Sequence, residues 1–252
     1  MKPVSTPKSL LSALASIACL LLIWQMAAAS AASALLPTPA IVFAVMAHDM
    51  GSGELPYHLG VTLARLAVSF LLSMGMGTAI GIALGRHRAL DRFFDSWLVI
   101  FLNIPALVTI ILCYIWLGLI ESAAIAAVVI NKLPNVIVTI REGTRTLDRN
   151  LLEMAEVYRF GRLKTLRHVI WPQLFPFILA AARTGLALIW KIILVVELLG
   201  RSNGMGYQLH LFFQMFDVAG ILAYSIAFVI VIQFIEWTLL RPLDRRARRW
   251  RR

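Results

Sequence analysis

Six long apolar runs limit what this chain can fold into more than any other feature. They extend from about Leu10 to Ala34, Leu59 to Leu84, Trp97 to Leu119, Ser122 to Ile140, Leu174 to Leu199 and Val218 to Leu240. Each reaches the roughly 17–25 residues that a helix needs to cross a bilayer. Inside hydrocarbon the backbone must satisfy its own hydrogen bonds, so such runs are read as helices. Strands of an outer-membrane barrel alternate over about ten residues, and these runs do not alternate. Composition agrees: 60% of the 252 residues are hydrophobic and 15% charged, against about 45–50% and about 25% in an ordinary soluble domain. A disordered chain, a collagen and a small disulfide scaffold are excluded. The expected fold class is an all-α integral membrane protein with six transmembrane helices.

The first run follows Lys2 and Lys8 and ends in Ala27-Ala28-Ala29-Ser30-Ala31-Ala32, which resembles a secretory signal with a small-residue cleavage site. Its apolar stretch is longer than the usual signal core of about 7–15 residues, which favours a retained helix. The net charge of +11 admits nucleic-acid binding until its placement is considered. Of the 24 Lys and Arg residues, 19 fall in four regions: the amino terminus, the 86–92 loop, the 141–167 stretch and the tail after Leu240. Six spans put all four on one side. The opposite loops offer only Arg201, while Arg65, Lys132, Arg183 and Lys191 lie within spans. Cytoplasmic loops collect Lys and Arg, so both termini are expected in the cytoplasm. The Arg-rich tail is expected to meet anionic lipid rather than nucleic acid.

These assignments divide the chain into an N-terminus (1–9), a first helix (10–34), a periplasmic loop (35–57), a core of five further spans (58–241) and a basic tail (242–252). Within the periplasmic loop, Ala40 to Met50 reads as a short interfacial helix. The turn near Gly118 to Glu121 is minimal, so the third and fourth runs should form an antiparallel hairpin. The loop with Gly200, Asn203, Gly204 and Gly206 reads as a flexible turn.

The inner stretch 141–172 is long and patterned. Asp148 or Asn150 is placed to cap a helix, with Glu153 three residues after Asn150 as in a capping box. Leu151, Met154, Ala155 and Tyr158 fall at i, i+3, i+4 and i+7, which gives one apolar stripe. The helix should end near Gly161. Such a helix can lie on the membrane surface, pack on the protein's own helix ends, or dock in a groove of a partner.

The run Glu153-Met154-Ala155, followed by Ile170-Trp171-Pro172, resembles the EAA loop of bacterial ABC importer permeases. In that pattern Met154 replaces an alanine, the family glycine falls on Arg159, and Gly161 lies two residues late. Similar stretches are Thr62-Leu63-Ala64-Arg65, Asn103-Ile104-Pro105-Ala106, Trp116-Leu117-Gly118 and Glu197-Leu198-Leu199-Gly200 through Gly204-Met205-Gly206. The likeness covers about residues 55–240 and is nearest to the nitrate/sulfonate/taurine group. It implies a coupling helix between the fourth and fifth spans, formed by Glu153, Met154, Ala155, Tyr158, Arg159 and Gly161. It also implies two cytoplasmic ATP-binding subunits, a periplasmic solute-binding protein, a second permease copy, most simply as a homodimer, and a location in the inner membrane.

A charge inside hydrocarbon is costly and needs a reason. In the fifth run Arg183, Trp190 and Glu197 share a face, seven residues apart, with Lys191 about 100° round from Trp190. One reading is a lining for the translocation path that attracts an anion. The other is snorkelling by Arg183 and pairing of Lys191 and Glu197 with neighbouring helices. Asn103 precedes Pro105, a kink that borders a substrate cavity or serves packing alone. Pro134 is a second kink, and Arg65, Gln233 and Glu236 are weaker path candidates. Gly77, Gly81 and Gly85 form a small-residue stripe that reads as a packing face.

No catalytic residues are assigned, because no Ser/His/Asp arrangement stands out and the chain lacks a G-x-x-x-x-G-K-[ST] phosphate loop. His48, His58, His87, His168 and His210 have no metal-ligand spacing. Cys19 and Cys113 lie in apolar runs and read as buried hydrophobes. No cofactor is expected. A permease subunit of an ATP-driven importer for a small anion is therefore weighed against an ion-coupled secondary transporter, which needs no partner ATPase, and against a membrane enzyme.

Overall fold

The computed structural model describes residues 7–31, 33, 35–240 and 242, and every regular element among them is helical. Most of the 1–9 segment and of the basic tail therefore lies outside the described residues. Helix α1 (Pro7–Ala31) is tied to the start of α2 by Trp24, whose Nε1 donates to Pro37 O at 3.0 Å. Helix α2 (Pro39–Ser52) covers the expected interfacial segment and opens on proline, whose missing N–H costs nothing there. Gly53, at φ 89°, turns the chain into α3 (Glu54–Arg86).

The third apolar run is not one straight helix. Helix α4 begins at Arg88, well before the expected Trp97, and stops at Asn103. Helix α5 (Ala106–Leu117) leaves it at 96°. Pro105 has no N–H and drives the preceding residue out of the helical region, and Ile104 is extended (φ −70°, ψ 124°). Helix α6 (Glu121–Arg145), by contrast, continues through Pro134. After α7 (Arg149–Val157), a single rod runs from Arg162 to Gly200. It consists of α8 (Arg162–Thr165), a π turn (Leu166–Ile170) and α9 (Trp171–Gly200). The expected turn is present at 201–204, and an unexpected helix α10 (Met205–Gln214) follows it before α11 (Val218–Ile235) closes the bundle.

Among the described residues four helical stretches are long and apolar enough to cross a membrane: Glu54–Arg86, Glu121–Arg145, Arg162–Gly200 and Val218–Thr238. The bent pair α4–α5 makes a fifth if taken as one span, and Ala15–Ala31 is a shorter apolar helix.

Helices α3, α6 and α9 form the centre. Between membrane helices, close approach of small residues does what apolar burial does in water. The glycine stripe of α3 supplies it: a Cβ on Gly77, Gly81 or Gly85 would meet the Cβ of Val136, Ile140 or Thr144 at 2.6, 2.8 and 2.5 Å. At the end that carries α7, Val136, Ile140, Ile170, Leu174 and Ala181 pack together. At the opposite end a larger core joins Val42, Leu55, Ile110, Tyr114, Ile193, Met205 and Tyr224 from six helices.

Candidate functional site

Two regions carry polar side chains with a visible purpose. The first is α7. Asp148 is its N-cap, accepting from Asn150 N at 2.8 Å, so the capping-box alternative at Asn150 is not used. Ala155, 1% exposed, anchors the helix to the bundle, with Leu152 half-buried beside it. The expected apolar stripe faces outward at its other members. Leu151 and Met154 are exposed and Tyr158 is 71% exposed, with Glu153 and Glu156 alongside.

The helix does not end at Gly161. It ends at Val157, and the left-handed residue is Arg159, at φ 49°. Arg159 N–H reaches Glu156 O at 2.9 Å and Phe160 N–H reaches Ala155 O at 2.8 Å. This is a Schellman closure, usually made with glycine. Arg159, at the position where the EAA pattern has glycine, thus holds a left-handed conformation at some steric cost. Gly161 instead sits at φ −65° and caps α8.

The second region is a buried charge cluster at the opposite end. Arg65, 5% exposed, donates from Nε and Nη2 to the Glu121 carboxylate at 2.6 and 2.9 Å. Its Nη1 reaches Glu197 Oε1 at 2.7 Å and Asn203 O at 2.8 Å. Glu197 is fully buried (0%) and lies 2.8 Å from Thr62 Oγ1. Arg201 closes the set on Glu121 at 2.8 Å. Two arginines meet two carboxylates, so the cluster is neutral overall. The same groups receive the N-terminus of α10, where three N–H groups have no partner within the helix. Gly204 N donates to His58 Nδ1, Met205 N to Thr62 Oγ1 and Gly206 N to Glu197 Oε2, at 3.0, 2.8 and 2.9 Å. Glycine is required at both ends of this turn. Gly204 has φ 107° with no room for a Cβ beside the Glu197 carboxylate, and a Cβ on Gly206 would strike Leu194 O.

The path candidates separate. Glu197 belongs to this cluster and does not share an open face with Arg183. Arg183 and Lys191 are both exposed, along a stripe of α9 that includes Thr184, Ala187 and Leu188. Arg183 Nη2 is 3.8 Å from Glu236, and Lys191 Nζ sits 5.4 Å from the Trp190 ring. Asn103 caps the break, donating to Val99 O at 2.7 Å. His58, Thr62, Glu121 and Arg201 were not among the sequence candidates for this site. Their signal was present in part: Glu54, His58, Thr62, Arg65 and Ser69 follow spacings of four, four, three and four along one face of α3. Among the described residues no three His, Cys, Asp or Glu side chains gather as a metal site.

A bundle of apolar helices long enough to cross a membrane, with an exposed amphipathic helix at one end, defines a multi-pass membrane protein. The family profile of the binding-protein-dependent transport system inner membrane component matches residues 73–249. The chain belongs to this family and is a multi-pass permease subunit of an ABC importer. It is 30% identical over 93% of its length, and 85% of the other chain, to a Bacillus subtilis (strain 168) protein named aliphatic sulfonates transport permease SsuC. The taurine transport system permease protein TauC of Escherichia coli (strain K12) is 25% identical over 77% of this chain and 70% of its own. The fold is similar to that of the MetNI methionine ABC transporter solved in inward-facing conformations, with a TM-score of 0.62 and 19% identity. That likeness covers 74% of this chain and 91% of the other.

Proposed function

We propose that two copies of this chain form the pathway of an inner-membrane importer for a small anion of the sulfonate, taurine or nitrate type. Six spans put both termini and the 141–172 loop in the cytoplasm. Two separate ATP-hydrolysing subunits dock, one on α7 of each copy, and a periplasmic solute-binding protein docks on the face that carries α2 and α10.

One observation carries this reading: α7 is fixed at both ends and through Ala155, yet leaves Leu151, Met154, Tyr158 and two glutamates uncovered. A helix held rigidly with an open apolar-acidic face transmits a push from a partner's groove into α6 and the α8–α9 rod. The substrate class rests on the names of the relatives and on the cationic stripe of α9. A lysine facing open hydrocarbon is costly, so the exposed amine of Lys191 is assigned to a water-filled path, where it attracts an anion.

The test is reconstitution in proteoliposomes with a partner ATPase and a solute-binding protein. ATP-dependent uptake of taurine or an alkanesulfonate is expected, with no ATP hydrolysis by the permease alone. Uptake by the isolated chain driven by an ion gradient would contradict the proposal. In the assembled system Lys191→Glu should lower uptake by about tenfold or more, equivalent to about 1.4 kcal/mol, and Lys191→Arg should retain it.

A further inference from the structure

Beside α7, at the same end of the bundle, lies a concavity of about 600 Å³. It is formed where the end of α3 turns into α4, against the end of α6 and the start of α7. Five arginines line it: Arg86, Arg88, Arg92, Arg145 and Arg149. Asp91 is the single carboxylate in the lining, which leaves five positive charges against one negative. That carboxylate is already committed, since it pairs with both Arg145 and Arg141. Of the nearby acids, Asp95 is taken by Arg141, and Glu142 by Arg145 and Arg141. Glu153 and Glu156 line the adjoining hollow around α7. Arg86, Arg88, Arg92 and Arg149 form no ion pair among the described residues.

The surroundings say where the ligand comes from. One turn further along α4, Phe93, Phe94 and Trp97 stack edge to face, at 4.9 Å between Phe93 and Phe94 and 5.7 Å between Phe94 and Trp97. Phe93 and Trp97 are largely exposed. Tryptophan gathers at the membrane–water interface, so the exposed Trp97, further along α4 than Arg88 and Arg92, favours headgroup depth for the arginine pocket, with the exposed Phe93 toward the acyl chains. Guanidinium groups bind phosphate oxygens through paired donors, and basic pockets between helix ends on the cytoplasmic side suit anionic headgroups.

We propose that this pocket binds the phosphate group of an anionic phospholipid headgroup from the inner leaflet, held by Arg86, Arg88, Arg92 and Arg149 against the start of α4. Since it joins α3, α4, α6 and α7, a lipid seated there braces the docking helix against the bundle.

The transporter, purified with its ATPase subunits, is titrated with phosphatidylglycerol or phosphatidylcholine in detergent and followed by native mass spectrometry. The wild-type complex should retain phosphatidylglycerol in preference to phosphatidylcholine. The R86Q/R88Q/R92Q variant should lose affinity for phosphatidylglycerol by about tenfold or more. The R86K/R88K/R92K variant, which keeps the charge and the topology signal, should still prefer the anionic lipid. Should the glutamine variant fail to assemble, the lipid preference of the wild-type and lysine forms decides alone. Equal retention of the two lipids by wild type overturns the proposal. Displacement of phosphatidylglycerol by inorganic phosphate at low millimolar concentration moves the site to a soluble phosphate and overturns the lipid assignment. Release of the ATPase by the glutamine variant with lipid binding intact makes the patch a protein contact and also overturns it.

Discussion

The two ends of this bundle spend their polar residues in opposite ways. At the end that carries Glu121, Arg65 and Glu197 are buried, and most of the surrounding polar groups find partners within the chain, Arg201 Nε and Ser69 Oγ being the exceptions. At the α7 end, Leu151, Met154 and Tyr158 lie open beside free glutamates. The closed region holds α3, α6, α9 and the α10 turn in one arrangement. The open region leaves apolar and acidic side chains uncovered. Charge inside a membrane protein is thus no sufficient mark of a transport path: Glu197 is bound by partners within the chain, while Lys191 on the same helix is exposed.

Substitutions should break this contrast in order of size. Removing one partner of a buried ion pair typically costs about 3–5 kcal/mol because the other charge is stranded. Arg65→Met or Glu197→Met should therefore lower thermal stability in detergent sharply. The double variant should recover much of the loss, and additive losses would show that the pair is not a unit. A smaller effect is expected at Ala155. Overpacking a filled site costs about 1–3 kcal/mol, so Ala155→Leu should loosen α7 and leave ATP hydrolysis running without matching uptake. Unchanged coupling in that variant would remove Ala155 as the anchor. Smallest is Arg159→Gly, which relieves a left-handed conformation worth roughly 1–2 kcal/mol for a residue with a Cβ. The larger chain entropy of unfolded glycine offsets part of the gain. The variant should unfold slightly later than wild type on heating, and earlier unfolding would exclude strain at this position.

Much of the fold was legible along the chain, because period and length are local properties. The apolar runs, the glycine stripe, the α2 segment and the start of α7 could all be read from neighbouring residues. The break at Asn103-Ile104-Pro105 was legible as a kink, but its 96° size was not. Proline dictates that the helix stops; the packing of α4 and α5 sets where the chain goes next. Helix α10 was missed because its start is capped by His58, Thr62 and Glu197, with His58 and Thr62 more than 140 residues away. The charge cluster was missed for the same reason: Arg65 lies 56 residues from Glu121 and 132 from Glu197. The end of α7 misled because glycine is the usual left-handed residue, and Arg159 takes that place here.

The central claim is that the open face of α7 is completed by an ATPase subunit, and binding of that subunit tests it most directly. Affinity of the partner ATPase should be measured for the reconstituted wild-type permease and for E153K/Y158D, alongside thermal stability. Exposed substitutions normally change stability by no more than about 0.5 kcal/mol. The account predicts unchanged stability with affinity lowered about thirtyfold or more, the equivalent of about 2 kcal/mol at an interface hot spot. Wild-type affinity in the variant, with ATP-driven uptake intact, would contradict it.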